Sequence, residues 1–321
     1  MNNTAKKFFA GLALAAAVTG TAFVSDSFIG QAAAAPAVQE TGMVTKNGGA
    51  GWSWISSDEK YGKFFSPANV KIVAQSNGVA TRISAWLKTL FSPAGAKETI
   101  DNYEINSQIP DPSQLAYTLS LVEVCPQERT IEYVQENFYD KNGTSIWQKI
   151  YEPRTVKEIN SQAFDEDFYA VLVDHIFRHG EVARQKAEDR WITLWSATMP
   201  DKSKTDVIAD TTTMRLRGDN IIYWEWSETK DAAGNIIEVK FSKKAVNLPQ
   251  GTQKTMACRS WDTRDGWKDV TGGLDDTYRE IKKGTQAEKG LARLRAFSKG
   301  YTYWLNRYRT DMPPKPATNK K

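Results

Sequence analysis

Residues 70–88 have the sequence VKIVAQSNGVATRISAWLK, and this stretch decides the fold class. The dipeptide Asn77-Gly78 is typical of a two-residue turn, and it separates two apolar runs. In the second run Ile83 and every second residue after it form an apolar face, while Lys88 lies on the opposite, polar face. A period of two predicts a hairpin strand with one buried face, and it places Trp86 on the polar face.

Further strands and a helix follow along the chain. Residues 117–121 alternate in the same way, and the runs at 131–138 and 145–149 flank the turn Asp140-Lys141-Asn142-Gly143, which predicts another hairpin. Apolar residues then recur every four positions. This change of period predicts an amphipathic helix over residues 161–186.

The same order of features begins again after Asp189. The matched pairs are the openings 52–55 and 191–195, the strand-turn-strand segments 70–88 and 211–226, the Trp-bearing strands with Trp86 and Trp226, the turns 92–95 and 231–234, the cysteines Cys125 and Cys258, and the closing helices 161–186 and 286–309. Features repeated in one order predict the duplication of a single unit.

The sequence therefore predicts the α+β class, with two tandem units that each contain a small antiparallel β-sheet packed by a C-terminal helix. The predicted segments are a signal peptide at 1–34, a flexible leader at 35–51, a first domain at 52–187, a second related domain at 188–311 and a disordered tail at 312–321.

The N-terminus indicates export. Lys6 and Lys7 precede an uncharged apolar run at 8–24, and the small residues Ala32-Ala33-Ala34 favour cleavage before Ala35. A retained membrane anchor is the alternative, but the run is short for a spanning helix. We expect a mature chain without a membrane span, located in the periplasm or at the cell surface.

The charge balance argues against a nucleic-acid partner. The signal peptide contains two of the 42 basic residues and one of the 38 acidic residues, so 40 basic and 37 acidic residues remain, a net charge of +3. Nucleic-acid-binding proteins usually carry a strong basic stripe. The charge balance therefore does not favour a nucleic-acid partner, and the oligomeric state is left open.

The quoted strands resemble a bacterial family. The elements of the resemblance are a Trp-Ile opening at 54–55, Asn69-Val70 before a strand, the strand Ala85-Trp86-Leu87-Lys88, the strand 119–125 that ends in a cysteine, and the hairpin 139–143. These elements resemble the surface-adhesin protein E-like domain, and the second copy matches more weakly. The resemblance implies a small antiparallel sheet with a packed helix and, for some members, adhesion to host matrix proteins. It implies no catalytic residue.

No pattern in the sequence predicts catalysis, a metal or a cofactor. His175 and His179 have the i, i+4 spacing of zinc ligands, but no third ligand accompanies them, so a surface pair is the favoured interpretation. A hydrolase whose two catalytic carboxylates lie on opposing strands would show no sequence motif. A periplasmic hydrolase therefore stays an alternative.

The candidate binding residues are aromatic or basic. Trp86, Trp224 and Trp226 are predicted to lie on strands, where they either stack a ligand or belong to the core. Arg293, Arg295 and Lys299 lie on the second closing helix, which is either a cationic binding surface or an ordinary amphipathic helix.

Two cysteines, Cys125 and Cys258, make up the whole cysteine content of the chain. An oxidising compartment permits a disulfide between them, and matched positions in two copies equally suit two buried free thiols.

The sequence thus predicts an exported, non-catalytic envelope or surface protein that resembles bacterial adhesins and binds a host protein or an envelope polymer. A carbohydrate- or peptidoglycan-binding module that uses the strand tryptophans is the first alternative.

Overall fold

The computed structural model describes residues 44–310. The predicted signal peptide, residues 35–43 of the predicted leader and the predicted tail lie outside the described residues. Within them the chain divides into two compact units. The first contains residues 44–182 together with 308–310, and the second contains residues 183–307.

The first unit is built on an eight-stranded antiparallel sheet. Its strands are β1 Ser53–Ser57, β2 Tyr61–Phe65, β3 Lys71–Ser76, β4 Val79–Phe91, β5 Tyr117–Cys125, β6 Thr130–Tyr139, β7 Ser145–Ile150 and β8 Val156–Glu158. The order is β1-β2-β4-β5-β6-β7, with β3 on β4 and β8 on β6. The predicted strands at 79–88, 117–121, 131–138 and 145–149 are confirmed. The Asn77-Gly78 turn is also confirmed, since both residues have positive φ.

The second unit has the same strand topology. Its strands are β9 Trp191–Thr198, β10 Lys204–Asp210, β11 Arg215–Arg217, β12 Asn220–Lys230, β13 Ile236–Asn247, β14 Thr252–Asp262, β15 Gly266–Asp269 and β16 Arg279–Glu280. The order is β9-β10-β12-β13-β14-β15, with β11 on β12 and β16 on β14. Each of β1–β8 therefore has its counterpart in β9–β16.

Five α-helices occur among residues 44–310. They are α1 Pro93–Asn102, α2 Glu166–Phe177, α3 Glu181–Lys186, α4 Gln286–Gly300 and α5 Thr302–Leu305. The turn predicted at 92–95 is wrong, because Ser92 instead caps α1 by accepting a hydrogen bond from Gly95 N, and Pro93 occupies the first helical turn.

The helix predicted over 161–186 is interrupted in the structure. Helix α2 ends at Phe177, and the next residue, Arg178, has a left-handed conformation with a φ of 55°. The carboxylate of Asp174 then accepts hydrogen bonds from the backbone N–H groups of Gly180, Glu181 and Val182. One side chain of α2 thus satisfies the free N–H groups at the start of α3.

The topology corrects the pairing of the cysteines. Cys125 is the last residue of β5, whereas Cys258 lies in β14, the counterpart of β6. The matched position predicted for them is therefore wrong. Both thiols are free, and Cys258 accepts a hydrogen bond from Ser242 Oγ at 3.2 Å.

The topology also supplies a hairpin that the sequence comparison of the two copies misses. The β6–β7 turn contains Asp140, whose side chain accepts hydrogen bonds from the N–H groups of Asn142 and Thr144. The β14–β15 turn contains Asp262, whose side chain accepts hydrogen bonds from Arg264 N and Asp265 N. The two turns share an aspartate that organises the backbone, but the intervening residues differ.

One face of the first sheet forms a core with α2. Alternate residues of β4 and β5, including Ala85, Leu87 and Val122, pack with Phe168 and Leu172 of α2. In the second unit the corresponding face, with Ile221 and Tyr223 of β12, packs with Leu291, Leu294 and Phe297 of α4. Each unit therefore buries one sheet face beside the helix that follows it.

A buried positive charge joins the elements of the first unit. Arg129, in the β5–β6 turn, is 3% exposed. Its guanidinium pairs with Glu166 at 2.9 Å and with Glu181 at 3.3 Å, and it lies over the Tyr169 ring. Glu181 also accepts a hydrogen bond from the Tyr308 hydroxyl at 2.8 Å. The charge thus connects the sheet to α2, to the start of α3 and to residue 308.

A second buried charge lies in the second unit. Glu225 of β12 has a side chain that is 15% exposed, 3.6 Å from Lys244 Nζ. Burial raises the pKa of Glu225 above its ordinary value of 4.5, and the nearby Lys244 opposes that rise only in part.

Replacing Arg129 should strongly destabilise the first unit. We expect Arg129→Ala to lower its free energy of unfolding by about 3–5 kcal/mol, because two buried carboxylates lose their counter-charge. Arg154→Ala is the matched control, since Arg154 is 40% exposed in its pair with Glu123 and should cost at most about 1 kcal/mol. Urea unfolding followed by circular dichroism measures both. Equal losses for the two variants would contradict a special role for the buried charge.

Glu225 should make stability fall as pH rises. The pKa of Glu225 is higher in the folded protein than its ordinary value of 4.5. Its contribution to the free energy of unfolding is therefore fully present below pH 4.5 and is lost as the pH rises through the folded-state pKa. We expect Glu225→Gln to gain stability relative to the natural chain as the pH increases from about 4 to about 7. Urea unfolding at several pH values measures this difference, and Glu238→Gln, at an exposed position of β13, is the control. A difference that is constant with pH would show that Glu225 is not the source.

Candidate ligand-binding face

Trp86 lies on the face of the first sheet that points away from the α2 core. It belongs to β4, where the buried residues Ala85 and Leu87 flank it and point to the opposite side. Its side chain is partly exposed. The phase predicted from the sequence for this tryptophan is therefore correct.

Two cross-strand rows surround Trp86 and extend from β4 to β7. The first row, in strand order, is Trp86, Leu121, Gln135 and Ile150, and the second is Lys88, Leu119, Asn137 and Gln148. We call these eight residues the Trp86 face. With strands about 4.8 Å apart and residues of one face about 6.8 Å apart along a strand, the face measures roughly 14 by 7 Å.

The amide groups of the Trp86 face have unused hydrogen-bonding capacity. Within residues 44–310, the side chains of Gln135, Asn137 and Gln148 make no hydrogen bond, and the Trp86 indole has no ring contact and no partner for its N–H. All eight residues of the face are partly or fully exposed, and Ile150 is 57% exposed. Each amide offers two donors and an acceptor, so the face combines one flat apolar ring with several hydrogen-bonding groups.

Lys88 at the edge of the face is held by the chain segment that precedes β1. Its ammonium group donates to Gly48 O at 2.8 Å and lies over the Tyr117 ring at 4.5 Å. Burial lowers the pKa of Lys88. Gly48 itself sits against Phe64, where a Cβ would come within 2.5 Å of the ring. Residues 44–51, predicted to be a flexible leader, thus pack on the sheet at this edge.

The opposite edge carries charges that neutralise each other. Arg82 pairs with Glu123 at 2.9 Å and with Glu132 at 3.0 Å, and Arg154 pairs with Glu123 at 3.0 Å. Two arginines and two glutamates give no net charge. The centre of the Trp86 face, between this edge and Lys88, is uncharged, which suits a neutral ligand.

The tryptophans of the second unit are placed differently. Trp224 and Trp226 of β12 are 7% and 5% exposed. They alternate with Ile221 and Tyr223 of the α4 core, so they are buried on the opposite face of the sheet. Trp224 stacks on Phe241 with ring centres 4.5 Å apart, and Trp226 lies 6.0 Å from Trp267. Their burial removes them from the set of surface residues that a ligand contacts.

The basic candidates lie on the exposed side of α4. Arg293, Arg295 and Lys299 are all exposed, while Leu291 and Leu294 of the same helix are buried. The helix is therefore amphipathic, and the basic side chains are accessible. They belong to the second unit, whereas the Trp86 face belongs to the first.

The two histidines do not form a pair. The His175 ring lies edge-on to Phe65 at 5.7 Å, and the His179 ring stacks on Phe177 at 5.4 Å. In the described part of the chain no group of three or more metal-ligating side chains occurs.

A buried carboxylate in the first unit bears on the hydrolase alternative. Glu136 is 5% exposed and accepts hydrogen bonds from the hydroxyl groups of Tyr103, Tyr151 and Ser120 at 2.5, 2.5 and 3.0 Å. Burial, and then the charge of Glu136, raises the pKa of Tyr103 and Tyr151 above the usual range. Three hydroxyl donors occupy this carboxylate, which ties the segment after α1 to the sheet.

No family model, no curated protein and no solved structure matches the chain. Among residues 44–310 no helix is both long enough and apolar enough to cross a membrane. The resemblance to the surface-adhesin protein E-like domain stays a prediction.

Proposed function

We propose that this chain is an exported, non-catalytic binding protein of the cell envelope or cell surface, and that its first unit binds a neutral envelope polysaccharide through the Trp86 face. One observation carries the proposal. A partly exposed tryptophan shares a sheet face with three amide side chains, two and three strands away, that have no hydrogen-bond partner among the described residues.

The chemistry of the face fits sugar rings. A pyranose has an apolar C–H face that stacks on an indole ring, and its hydroxyl groups both donate and accept hydrogen bonds, as amides do. A host protein, which the family resemblance implies, would need a larger apolar patch than the four apolar side chains of the face provide, namely Trp86, Leu119, Leu121 and Ile150. The observations therefore favour the glycan among the partners that the sequence predicts.

The architecture supports a binding role. We infer that each unit is an α+β module, in which the sheet buries one face against its helix. In the first unit the second face is available around Trp86. A rigid strand framework holds the ligand-contacting side chains at fixed spacing, which reduces the entropy that binding costs. The hydroxyl-saturated Glu136 supports a structural role for that carboxylate rather than a hydrolase site.

Trp86→Ala should abolish binding without unfolding the protein. We expect retention on purified peptidoglycan sacculi or on a panel of neutral polysaccharides to fall about tenfold or more, a loss of roughly 1.4 kcal/mol or more. Gln135→Ala with Asn137→Ala should weaken binding to a similar extent, at about 0.5–1.5 kcal/mol for each hydrogen bond. Tyr278→Ala, at a 43% exposed tyrosine of the second unit, is the control for the loss of an exposed aromatic side chain.

Thermal melts separate binding from folding in the same set of variants. Trp86→Ala should change the melting temperature little, whereas the buried Trp226→Ala should cost about 3–5 kcal/mol. If Tyr278→Ala weakens binding as much as Trp86→Ala, or if no polysaccharide retains the natural chain, the Trp86 face is not a glycan site.

Export should remove the predicted signal peptide. We expect the mature protein to begin at Ala35, because the small residues at 32–34 precede that position. Cell fractionation followed by N-terminal sequencing measures both the compartment and the cleavage site. Recovery of the full-length chain from the cytoplasm would contradict the envelope location.

A further inference from the structure

The strongest unassigned feature is a concentration of positive charge on and before α4. Residues 281–300 contain six basic residues and one acidic residue, a net charge of +5, while the whole chain has a net charge of +4. The basic residues are Lys282, Lys283, Lys289, Arg293, Arg295 and Lys299, and all six are exposed. A twenty-residue segment thus carries more positive charge than the chain as a whole.

These charges have no acidic partner in the part of the chain that the structure describes. None of the six basic side chains forms an ion pair there. The one acidic residue of the segment, Glu288, is occupied at the helix start, where its carboxylate accepts a hydrogen bond from Gly284 N at 2.7 Å. Arg295 is held in place by donating to Leu248 O at 2.9 Å, and this neutral carbonyl leaves its charge uncompensated.

This placement of basic residues destabilises α4 as an isolated helix. Lys289 with Arg293 and Arg295 with Lys299 are like-charged pairs at i, i+4, which repel each other. Lys282, Lys283 and Lys289 lie near the helix N-terminus, where the helix dipole favours negative charge. Unfavourable charge placements that no contact within the fold offsets are typical of functional sites.

The helix geometry shapes these charges into a shallow track. At 100° per residue, Ala292 and Ala296 lie at the centre of the exposed arc of α4. Lys289 and Arg293 flank the alanines on one side, and Arg295 and Lys299 flank them on the other. From residue 289 to 299 the track is about 15 Å long. We call these four basic residues with the two alanines the α4 cationic track.

We propose that the α4 cationic track binds a linear sulfated or phosphorylated polysaccharide laid along the helix axis. The small alanines let a chain approach the helix, and the two rows of cations contact anionic groups on both sides. Complementary charge argues for this occupant, since the track offers four positive charges and no negative one. This inference goes beyond the proposed function and does not depend on the Trp86 face.

A membrane surface fits the track less well. Peripheral helices bind bilayers by inserting an apolar side. The apolar side of α4 is already buried in the core of its own unit, with Leu291 6%, Leu294 1% and Phe297 8% exposed. A soluble polyanion needs only the charged side.

The test compares two variants with the same change in net charge. In Lys289→Gln/Arg293→Gln/Lys299→Gln three cations of the track are removed, and Arg295 is kept because of its contact with Leu248. In Lys71→Gln/Lys141→Gln/Lys186→Gln three exposed lysines elsewhere are removed. The probe is heparin, both immobilised and as a soluble competitor, with neutral dextran as the blank.

We expect the natural chain to stay bound to heparin at an ionic strength of about 0.15 M. The track variant should elute at lower salt. The slope of its plot of log affinity against log salt should be smaller in magnitude than that of the natural chain by about two to three. The control variant and Trp86→Ala should elute like the natural chain. Loss of neutral-glycan binding and loss of heparin binding are therefore independent results.

Three outcomes would overturn the proposal. The first is elution of the natural chain below about 0.15 M salt. The second is an equal shift for the track variant and the control variant, which would show an effect of net charge alone. The third is binding to vesicles with anionic lipids, or to duplex DNA, that heparin does not displace. Circular dichroism of both variants checks that their folds are intact.

Discussion

The charge of Arg129 is the interaction on which the first unit depends. A guanidinium at 3% exposure has lost its water and needs acidic partners, and in a medium of low polarity those partners bind it strongly. Glu166 comes from the first turn of α2, and Glu181 comes from the start of α3. The β5–β6 turn is therefore tied to the first turns of both helices, and α2 covers one face of the sheet. Trp86 lies on the other face because its neighbours in β4 point towards α2.

Much of the fold could be predicted from the sequence, because it follows local rules. A period of two with the Asn77-Gly78 turn was sufficient for β3 and β4, and the order of features was sufficient to predict two antiparallel sheets. The prediction of secondary structure is wrong where one sequence motif suits two structures. Residues 92–95 suit a turn and equally a capped helix start, and the sequence does not show which one α1 adopts. The cysteines fell in noncorresponding strands because spacing along the chain does not reveal strand order.

The candidate site was predictable only in part. Alternation placed Trp86 on the open face, but the importance of Gln135, Asn137 and Gln148 depends on cross-strand register, which the sequence leaves undefined. The sequence groups Trp224 and Trp226 with Trp86 as candidate binding residues, because all three lie in predicted strands. Their burial depends on partners such as Phe241 and Trp267, which come from other strands. On α4 the helical period was enough to place the basic residues outside.

The position of residue 308 has a consequence for the order of folding during synthesis. Tyr308 belongs to the core of the first unit, although residues 183–307 of the second unit come between. At about 5–20 residues per second, the ribosome needs roughly 6–25 s to make those 125 residues. The N-terminal unit therefore cannot complete its core when its own strands emerge. In most chains, by contrast, the N-terminal domain completes its folding first. Under the proposal that the chain is exported, this delay favours an incompletely folded polypeptide during the period in which a secretion channel must accept it.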